Sequence, residues 1–329
     1  MYEYPINLCQ RENTMTLLNQ FRKYLKTLTL FISLVYSPAL YANKTIGITQ
    51  IVDHPSLNAI REGILEGLVK EGYVEGKNLT VIFENAQGNP TTAAQIAQKF
   101  AGLSLDVIVP ITTPSAQAVV QHVKKTPIIF AAISDPLAAK IVTSIDHPGG
   151  NVTGVADIPP LQEQLDFMAT CVPHLKTLGV VYNPGEVNNV SLLDQLKILA
   201  KKKNIQIVTA AAPKSADVQA AAHSLVSRVD AIFVGNDNTV VSGLEALVKI
   251  CIDSNKPLFV SDPQSVERGA LAAYAYDQGQ IGQQVGQMVA KVLNGTNPGD
   301  IPVEKPNVLK MSINAKTAEK IKVTCVQAH

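Results

Sequence analysis

Tryptophan is absent from the 329 residues, so any aromatic ligand would have to stack on Tyr, Phe or His or rest on aliphatic surface. Charge of one sign is also lacking: 28 basic against 27 acidic residues leave a formal charge of +1. The longest block of like charge is Lys201-Lys202-Lys203. No field strong enough for nucleic acid arises from that balance, and the lysine run reads as the solvated end of a helix. The sequence holds no G-x-S-x-G elbow, no H-E-x-x-H and no P-loop. Its six His are scattered singly and its four Cys are too far apart for a metal-binding pair, so metal and cofactor are both expected to be none. With no nucleophile–base pair to be found, an enzyme is not expected.

What is there begins with a leader. Arg22, Lys23 and Lys26 precede the apolar run Leu28–Val35, and Ser37-Pro38-Ala39-Leu40-Tyr41-Ala42 follows. The order of charged, apolar and small residues is that of a secretory signal, and its apolar core is too short for a permanent membrane anchor. Residues 1–42 are read as a signal peptide, cleaved after Ala42 or after Ala39, with residues 1–14 as surplus ahead of Met15. Removal leaves 24 basic and 25 acidic residues and no cysteine at the cleavage point, so the product is expected free in an extracytoplasmic space and not as a lipoprotein. Cys171, Cys251 and Cys325 remain, enough for one disulfide and one free thiol whose pairing the sequence leaves open.

From Lys44 onward, β-branched runs alternate with segments of helical period, the pattern of parallel βαβ construction. Strands are expected at 45–51, 78–84, 106–111 and 127–133, with a first unit nearly complete by residue 155. After the turn His147-Pro148-Gly149-Gly150-Asn151 the series repeats, with strands at 177–182, 205–208, 231–234 and 257–260. A tail follows that a tandem of two lobes does not require. It comprises a strand at 270–276, a helix carrying Ile281, Val285, Met288, Val289, Val292 and Leu293, and a last strand at 308–313. Gly282 and Gly286 fall on one face of that helix, which points to close helix packing and not to a nucleotide loop.

In open parallel sheets, ligands bind beyond the carboxyl ends of strands, where helix N-termini present free N–H groups. The residues that follow each strand are therefore the candidates for ligand contact. They are Val52 and His54; Thr112, Thr113 and Ser115; Asp135; Asn183, Asn188 and Asn189; Asn236 and Asp237; and Asp262. Each is also an ordinary cap or turn residue, and only their recurrence at successive strand ends in both halves speaks for function. An amino acid suits such a crevice: its carboxylate would take N–H and hydroxyl donors near Thr113-Pro114-Ser115, and its ammonium a carboxylate such as Asp237.

Three stretches, Gln50-Ile51-Val52-Asp53-His54-Pro55, Arg61–Leu68 and Pro148–Val155, together resemble the ABC-transporter substrate-binding family that includes tryptophan- and tyrosine-binding proteins. Thr113–Ala118, Ser134–Leu137, Tyr182–Glu186 and Asn236–Thr239 match as well. The resemblance implies an α/β fold of two Rossmann-like lobes with parallel sheets, joined by three crossover segments, as in type I periplasmic binding proteins. Lobe 1 would comprise residues 43–155 and 278–304, and lobe 2 residues 156–277 and 305–329. The implied partners are a small-molecule ligand, an amino acid with aromatic ones included, and the membrane subunits of an ABC permease; the protein itself would be a monomer. A ligand-sensing module for a signalling receptor is the alternative with the same fold, and an extracytoplasmic enzyme is a third reading.

Overall fold

The structure, a computed structural model, describes residues 43–325, so the leader expected over residues 1–42 lies outside the described residues. The first half of the chain runs β1 (Lys44–Gln50), α1 (Pro55–Lys70), β2 (Leu79–Asn85), α2 (Pro90–Ala101), β3 (Val107–Ile111), α3 (Thr113–His122), β4 (Ile128–Ile133) and β5 (Val152–Ala156). These strands form one parallel sheet in the order β2-β1-β3-β4-β5. The three strands β3, β4 and β5 are buried at every residue, which is why they read as unbroken apolar runs rather than alternating ones.

The second half runs α4 (Leu161–Cys171), β6 (Thr177–Tyr182), α5 (Val187–Lys202), β7 (Gln206–Ala211), α6 (Val218–Val226), β8 (Ala231–Val234), α7 (Asn238–Ser242), α8 (Leu244–Asp253), β9 (Leu258–Val260), α9 (Pro263–Glu267) and β10 (Ala272–Tyr276). After it come α10 (Gln278–Leu293), β11 (Leu309–Ile313) and α11 (Ala315–Ile321). The second sheet has the order β11-β10-β9-β8-β6-β7 and is parallel except at β11, which lies antiparallel to β10 at the edge. Between β10 and β11 the chain runs through α10, so the two strands are not joined by a hairpin. Helix α5 starts at Val187, five residues before the apolar periodicity does, because its first turn buries Asn188 and Asn189 in place of apolar side chains.

The tail finds its place through α10. A single apolar core takes Ile46 to Ala156 together with Ile281, Val285, Met288 and Val289, so α10 belongs to the first sheet although it follows the second in sequence. It packs backbone to backbone on α1. A Cβ at Gly282 would stand 2.1 Å from the Ile60 carbonyl oxygen, and one at Gly286 would stand 2.3 Å from that of Ile64. Gly63 and Gly67 face back from α1 with the same closeness, a Cβ there meeting the Gly279 and Gln283 carbonyls at 2.2 and 2.3 Å. Two further apolar clusters cover the faces of the second sheet. The chain thus passes between the sheets three times, after β5, after β10 and before β11.

Cys171 at the end of α4 is bonded to Cys325 beyond α11, closing a loop of 154 residues. In the chain-entropy picture a loop of that length removes about 5 kcal/mol of unfolded-state freedom. Cys251 is free and buried, and burial pushes its thiol up to about 12, so it is inert packing.

Candidate functional site

Strand order reverses direction between β1 and β3 in the first sheet and between β6 and β8 in the second, and such switch points open crevices at the carboxyl ends of strands. At the first, His54 precedes Pro55 at the start of α1, and only 7% of it is exposed. Among the described residues neither ring nitrogen has a partner at good hydrogen-bond geometry, although the Asn238 side chain lies near enough to act on the ring, and burial lowers its pKa to about 4, leaving the imidazole neutral. Beside it, Thr112 joins β3 to α3 with φ at 69°, a conformation costly for a β-branched residue. Among the described residues its buried Oγ1 has no partner, and neither has Oγ of Ser115 one turn into α3. The neighbouring strand repeats the strain: Ala132, at φ 54°, sits where the β4–β5 register shifts.

At the second switch point the polar groups hold one another. Asp237 caps α7, its Oδ1 accepting from Val240 N at 2.8 Å and its Oδ2 from Asn183 N at 2.6 Å. Burial first, and the nearby Glu186 second, raise its pKa well above the usual carboxylate range. Oε1 of Glu186 accepts from the backbone and hydroxyl of Thr239 at 3.0 and 2.9 Å, and its Oε2 accepts from Asn238 Nδ2 at 2.6 Å. Asn188 donates to the Asn236 carbonyl at 2.8 Å.

Between the two lies a small cavity of about 40 Å³. Contacts bridge it from sheet to sheet: Ser56 Oγ donates to Asp262 Oδ1 at 2.6 Å, and Asn236 Nδ2 to Ser134 Oγ at 3.1 Å. Seven of the twelve residues expected from strand ends line it: His54, Thr112, Thr113, Asn188, Asn236, Asp237 and Asp262. The other five stand outside its wall. Val52 packs against the first core, and Ser115 lies inside α3. Asp135 accepts from Ser191 Oγ at 2.6 Å in a smaller neighbouring pocket. Asn183 and Asn189 brace Asp237 and Glu186 from behind.

Further lining residues escape a reading of strand ends. Leu57, Ile60 and Val241 supply an apolar patch, and no feature of their helices distinguishes them from core residues. Asp157 and Gln278 are different, since each stands one or two places beyond a strand, and the rule applied to β5 and β10 would have found them. Asp157 is 5% exposed; its Oδ2 accepts from Asn236 Nδ2 at 3.0 Å and Gln278 Nε2 at 3.3 Å. Burial, countered only in part by these bonds, raises its pKa to about 6.

Two parallel α/β sheets whose switch points face each other across a cavity, with three chain passages between them, define a solute-binding protein of the periplasmic-binding-protein kind. The chain belongs to the ABC transporter substrate binding protein family, whose description matches residues 45–328. It is 37% identical over 278 residues to the tyrosine-binding protein of Clostridioides difficile (strain R20291), a match over 84% of this chain and 81% of that one. A Streptococcus pneumonia structure in complex with L-Trp superposes with a TM-score of 0.84 at 36% identity, covering 87% of this chain and 97% of the other. The ligand-free, open structure of a substrate binding protein with adhesive properties from Clostridium difficile is also 36% identical, but superposes at 0.67, covering 85% and 95%. At equal identity the fold thus lies closer to the complexed relative than to the open one. No helix among the described residues is long and apolar enough to cross a membrane.

Proposed function

We propose that this chain captures an α-amino acid, aromatic ones included, between two lobes and presents it to the membrane subunits of an ABC permease without turning it over. The observation that carries this reading is the composition of the cavity wall. The N-terminus of α3 and the unpartnered, buried hydroxyl of Thr112 suit a carboxylate, and Leu57, Ile60 and Val241 suit an apolar side chain. The neutral His54 ring is placed to face an aromatic edge or accept from its polar tip. Support also comes from the relatives, one named for tyrosine and one crystallised with L-Trp.

On this reading the lobes are residues 43–155 with 278–304 and residues 156–277 with 305–329, and the ligand closes them about the three passages. Export through a signal peptide over residues 1–42 and work as a periplasmic monomer complete the proposal. Isothermal titration of the chain from Asn43 onward against the twenty amino acids tests it. One-to-one binding of an aromatic amino acid at micromolar or tighter Kd is expected, with the ligand recovered unchanged. Heats indistinguishable from dilution for all twenty would end the amino-acid reading.

A further inference from the structure

Three carboxylates line the cavity, Asp157, Asp237 and Asp262, and no Lys or Arg does among the described residues. A buried acid without a counter-charge is costly, so each must be satisfied from within or await a cation. Asp237 is satisfied: backbone N–H groups engage both of its oxygens. So is Asp262, whose Oδ1 accepts from Ser56 Oγ and Ser265 N at 2.6 and 2.7 Å, and whose Oδ2 accepts from Ser265 Oγ at 2.7 Å. Asp157 is not. Both of its side-chain bonds arrive at Oδ2, from two neutral amides, and none among the described residues reaches Oδ1.

Given the amino-acid reading on which it rests, we propose that Asp157 is the residue that receives the ligand's ammonium group, through Oδ1, and that the site therefore selects a free primary amine. Asp237, the carboxylate that strand-end reasoning favours for this task, is instead a cap that holds α7 in place. The position of Asp157 adds a second consequence. It stands on the first passage between the sheets, and Gln278, which bonds it, stands on the second. Asn236, its other partner, comes from the loop after β8. An ammonium on Oδ1 would thus tie the two passages and the second sheet to one ligand atom.

The test is titration of wild-type and Asp157→Asn protein with L-tyrosine and L-tryptophan, and with their deamino counterparts, 3-(4-hydroxyphenyl)propanoate and indole-3-propanoate. The wild-type protein is expected to bind the deamino acids at least about 30-fold more weakly than the amino acids, the scale of a buried charged hydrogen bond. Asp157→Asn is expected to erase that preference, weakening the amino acids by a similar factor and changing the deamino acids by less than about threefold. The comparison on the wild-type protein needs no mutation, so it decides even where the variant fails to fold. Equal wild-type affinity for amine and deamino ligand overturns the assignment, as does a preference that survives Asp157→Asn. If neither amino acid binds the wild-type protein, the aromatic amino-acid reading itself falls and takes the assignment with it.

Discussion

The two walls of the cavity are built on opposite terms. On the side of the first sheet, His54 and Thr112 bury polar atoms that have no partner at good hydrogen-bond geometry among the described residues, and Thr112 and Ala132 hold positive φ beside them. On the side of the second sheet, Glu186, Asp237, Asn238, Thr239 and Asn183 are joined in one hydrogen-bond network, and among the described residues Asn188 Oδ1 is the buried lining atom there left without a partner. Each unmet polar atom costs about 1–3 kcal/mol when buried, a cost that a ligand bonding to it removes. The first wall therefore holds its bonding capacity in reserve for a ligand, whereas the second has spent it on being rigid.

If that contrast is right, the largest effect of substitution belongs to the second wall. Glu186→Ala strips partners from the backbone and side chains of Asn238 and Thr239 at once. It is expected to cost about 3–5 kcal/mol, seen as a lower urea midpoint at unchanged slope. A loss below about 1 kcal/mol would mean that the network is not what stiffens this wall.

Titration separates the groups next, and with opposite signs. Asp157, raised from 3.8 to about 6, binds its proton more tightly when folded. Wild-type, ligand-free protein should therefore be most stable relative to Asp157→Asn below pH 4 and lose about 3 kcal/mol of that advantage as pH rises through 6. His54, lowered from 6.5 to about 4, is held neutral by the fold. Relative to His54→Gln, its contribution is fully present above pH 6.5 and falls away by about 3 kcal/mol as pH drops through 4. Denaturant melts of each pair at pH 3.5, 5 and 7.5 check both slopes. Two slopes of the same sign would contradict the assignment of one group as a reserved acid and the other as a reserved neutral base.

The parts of this molecule that follow from local chemistry were legible in the sequence. Strands such as Thr177–Tyr182 and Ala231–Val234 stand where their β-branched runs ended, and the Gly282/Gly286 face did mark a close helix contact. Seven strand-end residues of twelve reached the cavity by the same rule. What resisted was tertiary. Leu57 and Ile60 share the helical face that fills the core, so no pattern could tell lining from filling. The disulfide partner of Cys171 is 154 residues away, and Cys251, nearer in sequence, is buried among apolar side chains. Asp237 looked free for a ligand because its partners, Asn183 N and Val240 N, are backbone groups, and one of them is 54 residues distant. Asp157 passed unnoticed because the short strand it follows, Val152–Ala156, was not among the expected strands.

The smallest effect makes the sharpest comparison, because one substitution can be applied to both walls. Thr→Val keeps the branch at Cβ and removes only the hydroxyl's hydrogen bonding. At Thr239 that hydroxyl donates to Glu186 at 2.9 Å and accepts from Asn183 Nδ2 at 2.8 Å, so Thr239→Val should destabilise by about 1–3 kcal/mol. At Thr112 the hydroxyl has no partner among the described residues, and Val retains the same strained φ. Thr112→Val should therefore raise stability by about 1 kcal/mol or less. It should also weaken binding of a carboxylate-bearing ligand about tenfold, because the only bond lost is one the ligand would have made. Melts of both variants without ligand and titration of Thr112→Val with it give three numbers whose signs are fixed in advance. A Thr112→Val protein that is destabilised as much as Thr239→Val would show that the hydroxyl has a partner in the folded state, and the first wall would no longer be a reserve.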